Sequence, residues 1–232
     1  MSGSTTTAPD GLEWFEVKGE ERKPGDPNFI AAVRAFPGSL SFTSGYLRLL
    51  EGVPFVSEQG VGEGDCKRRG MVMYDQAGQP ATLIAIRERR GALVTAEEDA
   101  PLTLADLMGS WQGEGIAISA NDQTVSGLAC RFHISEAGDA LEVVSQFGET
   151  VTRRTARAEG AAWALSGGQR LVVLPGRLAL LYPDQLPPPG EDRSFSVELY
   201  WLAEPTRLRR LVREYDPQGA WRRSVLTDEH RQ

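Results

Sequence analysis

The 232-residue chain carries 32 acidic and 25 basic side chains, a formal net charge of −7, and its arginines are scattered along the sequence. Proteins that bind nucleic acid usually concentrate basic residues in one patch, so this composition argues against a nucleic-acid partner. No apolar run approaches the roughly 18 residues of a membrane span, and the N-terminal stretch lacks the apolar core of a secretion signal. We therefore expect a cytoplasmic protein with no membrane span.

The N-terminal part of the chain shows little regular patterning. Residues 1–10 are Ser/Thr-rich and predict a disordered tail, Leu12 to Val17 is short and strand-like, and Phe29 to Phe36 allows a short helix. From Ser39 onward, short runs rich in β-branched and aromatic residues are separated by Gly, Pro or Asp clusters. This spacing is typical of a β-barrel or β-sandwich.

A helix followed by a long series of strands is predicted in the second half of the chain. The helix spans Pro101 to Met108, where Thr103 can cap the first turn, Asp106 completes a capping-box pattern and Gly109 stops the helix. The strands are predicted at Trp111–Ser119, Gly127–Ser135, Ala140–Phe147, Thr150–Glu159, Ala161–Ser166, Leu171–Pro175, Arg177–Tyr182, Phe195–Ala203, Arg207–Tyr215 and Trp221–Glu229. Short strands joined by short turns predict an up-and-down antiparallel barrel over residues 100–232.

The sequence also contains an internal repeat. Arg68 to Arg90 aligns with Arg209 to Arg231 at a constant offset of 141 positions. The matched residues are Arg68, Arg69, Tyr74, Asp75, Gly78, Glu88 and Arg90 in the first copy and Arg209, Arg210, Tyr215, Asp216, Gly219, Glu229 and Arg231 in the second. Each copy predicts a hairpin in which one strand ends at the tyrosine and Asp-x-x-Gly forms the turn.

The repeat predicts a tandem organisation of two barrel units. Residues 11–96 would hold only the later strands of one unit, and residues 100–232 would form a complete barrel. A half barrel exposes unpaired strand edges, which promote aggregation, so the first unit must be covered. Three arrangements would do this: pairing with the second unit, pairing with another chain in a homo-oligomer, or further strands from residues that this sequence lacks.

Two segments of the chain carry a family resemblance. Leu102 to Gly115 (LTLADLMGSWQGEG), followed by Val197 to Arg231, resembles a cyanobacterial family of uncharacterised tandem lipocalin-like proteins. More distantly, Gly-x-Trp at Gly109 and Leu-Tyr-Trp-x-Ala-x-Pro at Leu199 are similar to S-type phycobiliprotein chromophore lyases. The resemblance implies an all-β, lipocalin-like (calycin) antiparallel barrel, with a related partial barrel unit before it.

The resemblance also implies a function. The lyases hold an open-chain tetrapyrrole and hand it to a cysteine of a client protein. This chain is therefore expected to bind a small amphipathic molecule, with a bilin as ligand and a phycobiliprotein-type client, as a chromophore chaperone or lyase. Whether it catalyses chromophore attachment stays open, and no permanently bound cofactor and no metal site are expected. Two alternatives stay open as well: a non-enzymatic carrier of a fatty acid or other hydrophobic ligand, and a structural or assembly protein with filled barrels.

The candidate ligand-binding residues are Trp111, Arg131, Glu198, Tyr200, Trp201, Arg207, Arg209, Arg210 and Glu229. Arginines can hold the propionate carboxylates of a bilin, and aromatic faces can stack on its pyrroles. Structural alternatives exist: Trp111 can close the barrel floor beside an arginine, and Glu198 can pair with a cross-strand arginine such as Arg131. Strand periodicity places Trp201 on one face and Glu198 with Tyr200 on the other, without deciding which face lines a cavity.

Overall fold

The computed structural model of the protein describes residues 55–89, 100–119, 125–188, 191–219 and 221–232, together with the backbone of four earlier strands. These first four strands are β1 (Thr5–Thr7), β2 (Leu12–Phe15), β3 (Ile30–Val33) and β4 (Phe42–Tyr46). Three longer strands follow, β5 (Phe55–Glu63), β6 (Cys66–Tyr74) and β7 (Pro80–Arg89). Within the described chain, these seven strands form one antiparallel sheet in which the spatial order equals the chain order.

The second half of the chain folds into a closed antiparallel barrel of ten strands. The strands are β8 (Gly109–Ser119), β9 (Val125–Ala137), β10 (Ala140–Phe147), β11 (Thr150–Glu159), β12 (Ala162–Leu165), β13 (Gln169–Leu174), β14 (Leu178–Pro183), β15 (Phe195–Glu204), β16 (Arg207–Tyr215) and β17 (Trp221–Arg231). Each strand pairs with its neighbour in the chain, and β17 returns to pair with β8, with Arg231 opposite Trp111. The predicted all-β barrel is confirmed.

A single short helix, α1 (Leu104–Leu107), lies at the entrance of the barrel within the described residues. The Thr103 side chain accepts a hydrogen bond from the Asp106 backbone N–H, and the Asp106 carboxylate accepts one from the Thr103 N–H, which completes the predicted capping box. The helix expected at Phe29 to Phe36 was wrong, because Ile30–Val33 pairs with the strands on both sides of it. Backbone pairing there overrides the helix propensity of Ala31 and Ala32.

The two repeated segments form the same hairpin, as predicted. In both hairpins the strand register shifts at the tyrosine, Tyr74 in one and Tyr215 in the other. In the first turn the Gly78 N–H donates to the Asp75 carbonyl at 3.0 Å, and the Gly219 N–H makes the equivalent bond at 3.0 Å in the second. The two glycines have φ of 77° and 80°, a left-handed conformation that a side chain disfavours. The tandem arrangement of two barrel units remains a prediction.

The face of the first sheet packs against the outer wall of the barrel. Their shared core includes Phe55, Val72 and Tyr74 of the sheet with Leu199 and other side chains of the barrel wall. Three buried side-chain hydrogen bonds cross this interface in the described chain. One joins the Ser57 and Tyr215 hydroxyls at 2.6 Å, Gln59 Nε2 donates to the Val197 carbonyl at 2.6 Å, and the Tyr74 hydroxyl donates to the Pro183 carbonyl at 3.0 Å. The described part of the first sheet is therefore covered face to face, while the barrel closes with its own strands alone.

The predicted disordered tail, residues 1–10, lies outside the described residues except for the strand Thr5–Thr7. Residues 90–99, which contain the predicted boundary between the two units, also lie outside them. The predicted division into residues 11–96 and 100–232 therefore stays a prediction. In the part of the chain that the structure describes, no helix is long and apolar enough to span a bilayer.

Candidate functional site in the barrel mouth

One end of the barrel is closed by Trp111 and helix α1. The Trp111 side chain is 1 % exposed, and its Nε1–H donates to the Leu107 carbonyl at 3.0 Å. The Arg231 guanidinium lies over the indole ring at 4.4 Å and donates to the Met108 carbonyl at 2.9 Å. This stacked pair and the helix together seal the barrel floor, which is the structural alternative that the sequence offered for Trp111.

A buried ion pair occupies the middle of the barrel. Arg210 Nε donates to Glu229 at 2.7 Å, and both side chains are fully buried. The Arg210 guanidinium also donates to Ser145 Oγ at 3.0 Å and lies over the ring of Phe132 at 4.6 Å. Burial acts to lower the pKa of Arg210, but Glu229 and the other acidic groups nearby together outweigh it and hold the pKa above its usual value. This layer fills the barrel with paired charges.

A second polar group lies above this layer, toward the other end of the barrel. The Tyr200 hydroxyl donates to Glu198 Oε2 at 2.7 Å, and Arg154 lies 3.3 Å from Glu198 Oε1. Glu198 is 2 % exposed and Tyr200 is 1 % exposed. Burial, with the adjacent Glu198 carboxylate, raises the pKa of Tyr200 well above its ordinary value. Tyr200 therefore stays a neutral hydrogen-bond donor to Glu198.

A cavity of about 360 Å³ opens at this end. Its inner part is bounded by buried side chains, including Ser145, Glu198 and Val212, and exposed residues such as Arg193 form its rim. The charged side chains on its wall are Arg154, Arg193, Glu198, Glu214 and Arg223. The volume is at the lower end of the range for small-molecule sites, about 300–1,000 Å³. The cavity can hold a compact guest against a wall that combines these charged side chains with apolar surface.

The structure brings five of the nine candidate residues into the barrel interior. Glu198 lines the cavity, Tyr200 lies directly below it, the Arg210–Glu229 pair lies deeper, and Trp111 is at the floor. Only Glu198 among these five borders the cavity itself. A ligand in the cavity would therefore contact Glu198, while the other four support the wall or the floor.

The remaining four candidates, Arg131, Trp201, Arg207 and Arg209, lie on the outer face of the barrel, away from the cavity. Trp201 packs in the core shared with the first sheet, because the outer face of β15 is covered by that sheet. Strand alternation also directs the side chains of Arg131, Arg207 and Arg209 away from the barrel interior. Arg207 pairs with Asp228 at 2.7 Å, Arg209 lies 3.3 Å from the same carboxylate, and Arg131 is exposed. The cavity gives no support to a ligand role for these four residues.

Sequence reasoning missed Arg154, Glu214 and Arg223 on the cavity wall. The available signal was strand alternation, because Glu214 is on the same face of β16 as Arg210, and Arg223 on the same face of β17 as Glu229. Burial raises the pKa of Glu214, and Arg223 opposes this shift. The mouth of the barrel therefore contains a half-buried carboxylate beside a guanidinium.

A family model described as "Biogenesis factor required for ATP synthase 1, C-terminal domain" matches residues 98–232, which include α1 and every strand of the barrel. The chain belongs to this family. The match covers more than half of the sequence and begins just before the helix that seals the barrel floor. A search of the curated proteins finds no match for this family member.

Two solved structures are similar to this family member. A protein of unknown function from the DUF3598 family of Nostoc punctiforme PCC 73102 matches 99 % of this chain and 87 % of its own, with 20 % identity and a TM-score of 0.71. The S-type phycobiliprotein lyase CPES of Guillardia theta matches 55 % of this chain and 89 % of its own, with 12 % identity and a TM-score of 0.40. The first match supports the fold of the described residues and the predicted cyanobacterial resemblance.

Proposed function

We propose that this protein is an assembly factor that holds a client subunit while ATP synthase is built. The family match over residues 98–232 carries this proposal, because it covers the whole barrel and the family is described as a biogenesis factor for ATP synthase. An assembly factor needs a rigid surface that binds a client and later releases it. The barrel meets this need, because its floor is sealed at Trp111 and its middle is fixed by the Arg210–Glu229 pair.

The filled lower half of the barrel is a second argument for this role. Phe132, Tyr200 and Arg210 occupy the space that an extended hydrophobic guest would need. The remaining cavity has a wall with five charged side chains, which gives no support to a carrier of fatty acids. Client contacts would then use the mouth, the rim and the outer surface of the barrel.

The test is genetic and biochemical, and it uses the natural host. Deletion of the gene should lower the amount of assembled ATP synthase while transcription and synthesis of its subunits stay unchanged, and the wild-type gene should restore assembly. Affinity capture of the tagged full chain at its native expression level should enrich ATP synthase subunits over a tag-only control. Normal ATP synthase content in the deletion strain would contradict the proposal.

A second candidate function is binding of a bilin, with chromophore transfer to a client cysteine. The observation in its favour is the arginines on the cavity wall, Arg154, Arg193 and Arg223, because guanidinium groups bind carboxylates such as bilin propionates in bidentate fashion. In this role the barrel would orient the bilin while the client supplies the attacking thiolate. Co-expression with bilin synthesis should give a coloured protein, and Arg223→Gln should lower the bound pigment. A colourless product would exclude this function.

A further inference from the structure

Glu214 and Arg223 lie directly opposite each other on β16 and β17, at the wall of the mouth cavity. Residues that are directly opposite in an antiparallel pair project from the same face of the sheet, so both side chains face the barrel interior. Opposite charges in this position usually close into a cross-strand ion pair. In the region that the structure describes, no ion pair of 4.0 Å or less joins these two side chains.

The other interior charges already have partners. Glu198 is paired with Arg154 at 3.3 Å and accepts a hydrogen bond from Tyr200. At the rim, Arg193 lies 3.1 Å from Glu191. Glu214 and Arg223 thus present one negative and one positive group to the same small space. The raised pKa of Glu214, caused by burial, agrees with a carboxylate whose charge is incompletely compensated.

The cavity wall also offers apolar contacts close to these two groups. Phe147 and Val212 line the same cavity, and Val212 is two positions from Glu214 on the same face of β16. A ligand with one apolar group could place it against these side chains while its charged groups reach Glu214 and Arg223. The volume of about 360 Å³ fits a molecule of amino-acid size.

We infer that the mouth cavity binds a compact zwitterion with an apolar side chain, of the α-amino-acid type. Arg223 would bind its carboxylate, Glu214 its ammonium group, and Phe147 its apolar side chain. This inference goes beyond the assembly role and does not depend on it. The predicted ligand carries both a carboxylate and an ammonium group, because a molecule with only one of them would leave either Glu214 or Arg223 without a partner in the complex.

Three probes that share a phenylethyl group test this directly. L-phenylalanine carries both charged groups, phenethylamine lacks the carboxylate, and 3-phenylpropanoate lacks the ammonium group. Titration calorimetry on the full chain should show that L-phenylalanine binds at least about tenfold more tightly than either single-charge probe, since each lost charge-assisted hydrogen bond weakens binding. Equal affinity for all three probes, or no saturable binding of L-phenylalanine at millimolar concentration, would overturn the inference.

Three variants separate the two charges. Glu214→Gln should weaken L-phenylalanine binding and leave 3-phenylpropanoate unchanged, whereas Arg223→Gln should weaken L-phenylalanine and leave phenethylamine unchanged. Arg222→Gln is the matched control, because Arg222 is the exposed neighbour on the same strand. An equal loss in the Arg222 variant would also overturn the inference. The comparison of probes on the unaltered protein decides the question if either cavity variant fails to fold.

Discussion

Arg210→Met is expected to destabilise the barrel strongly, because it leaves the Glu229 carboxylate buried without its ion-pair partner. Both side chains are fully buried, and the bond that joins them is 2.7 Å long. Removal of one member of a buried pair costs about 3–5 kcal/mol. The lost hydrogen bond to Ser145 adds to this cost, while contacts of the new methionine with Phe132 offset part of it. We expect a net loss of about 3–4 kcal/mol.

The assay is equilibrium unfolding in urea, followed by tryptophan fluorescence. The double variant Arg210→Met/Glu229→Leu should recover most of the loss, because an apolar pair of similar volume can replace a buried ion pair. Arg222→Gln, at an exposed position, should stay within about 0.5 kcal/mol of the unaltered protein. A loss below about 1 kcal/mol in the single variant, or a double variant whose cost equals the sum of the two single costs, would refute the reasoning.

Three further predictions concern other parts of the barrel. Burial acts to raise the pKa of Asp228, but the hydrogen bond from Arg207 and the positive charges of Arg207 and Arg209 together outweigh this and hold the pKa below its ordinary value. The carboxylate therefore stabilises the fold above the ordinary carboxyl pKa. Asp228→Asn should therefore lower the free energy of unfolding by about 1.5–3 kcal/mol at neutral pH. In acid, the difference between the variant and the unaltered protein should fade as the pH drops through the folded-state pKa of Asp228. A difference that stays constant with pH would contradict this. Gly113→Ala should cost about 1–3 kcal/mol in thermal unfolding, because a Cβ there would meet the Asp228 carbonyl. Gly127→Ala, with open space around it, should be nearly neutral, and similar losses in both variants would count against the packing. Burial, with Glu229 close by, raises the pKa of the Cys130 thiol to about 12. Iodoacetamide at pH 8 should therefore label Cys130 only after denaturation, as mass spectrometry would show. Rapid labelling of Cys130 in the native protein would contradict its burial.

The strands of the barrel could be predicted because each one alternates and is bounded by turn residues. Ala140–Phe147, Thr150–Glu159 and Arg207–Tyr215 have the predicted bounds, and the other barrel strands differ by a few residues at their ends. The segment Phe29 to Phe36 was wrongly predicted as a helix, because local propensity carries no information about pairing between strands. Ile30–Val33 is a strand since it pairs with the strands on both sides of it.

The candidate site was harder to predict, because β15 is buried on both faces. All residues from Val197 to Leu202 are buried, so the usual contrast between an apolar inner face and a polar outer face is absent. Trp201 therefore looked as suitable for a ligand as Tyr200, although it faces the first sheet. The repeat was a better guide, since it marked Arg210 and Glu229, which the structure joins in the barrel interior.

The pairing of β8 with β17 has a consequence for synthesis of the protein. Nine residue pairs join these strands, and β8 is the first barrel strand to be translated while β17 is the last. The edges of β8 and β16 must therefore stay open on the ribosome until β17 has left the exit tunnel. Open strand edges are sites of wrong pairing between chains. A nascent chain that stalls before Trp221 would be a client for chaperones, whereas the finished barrel would not.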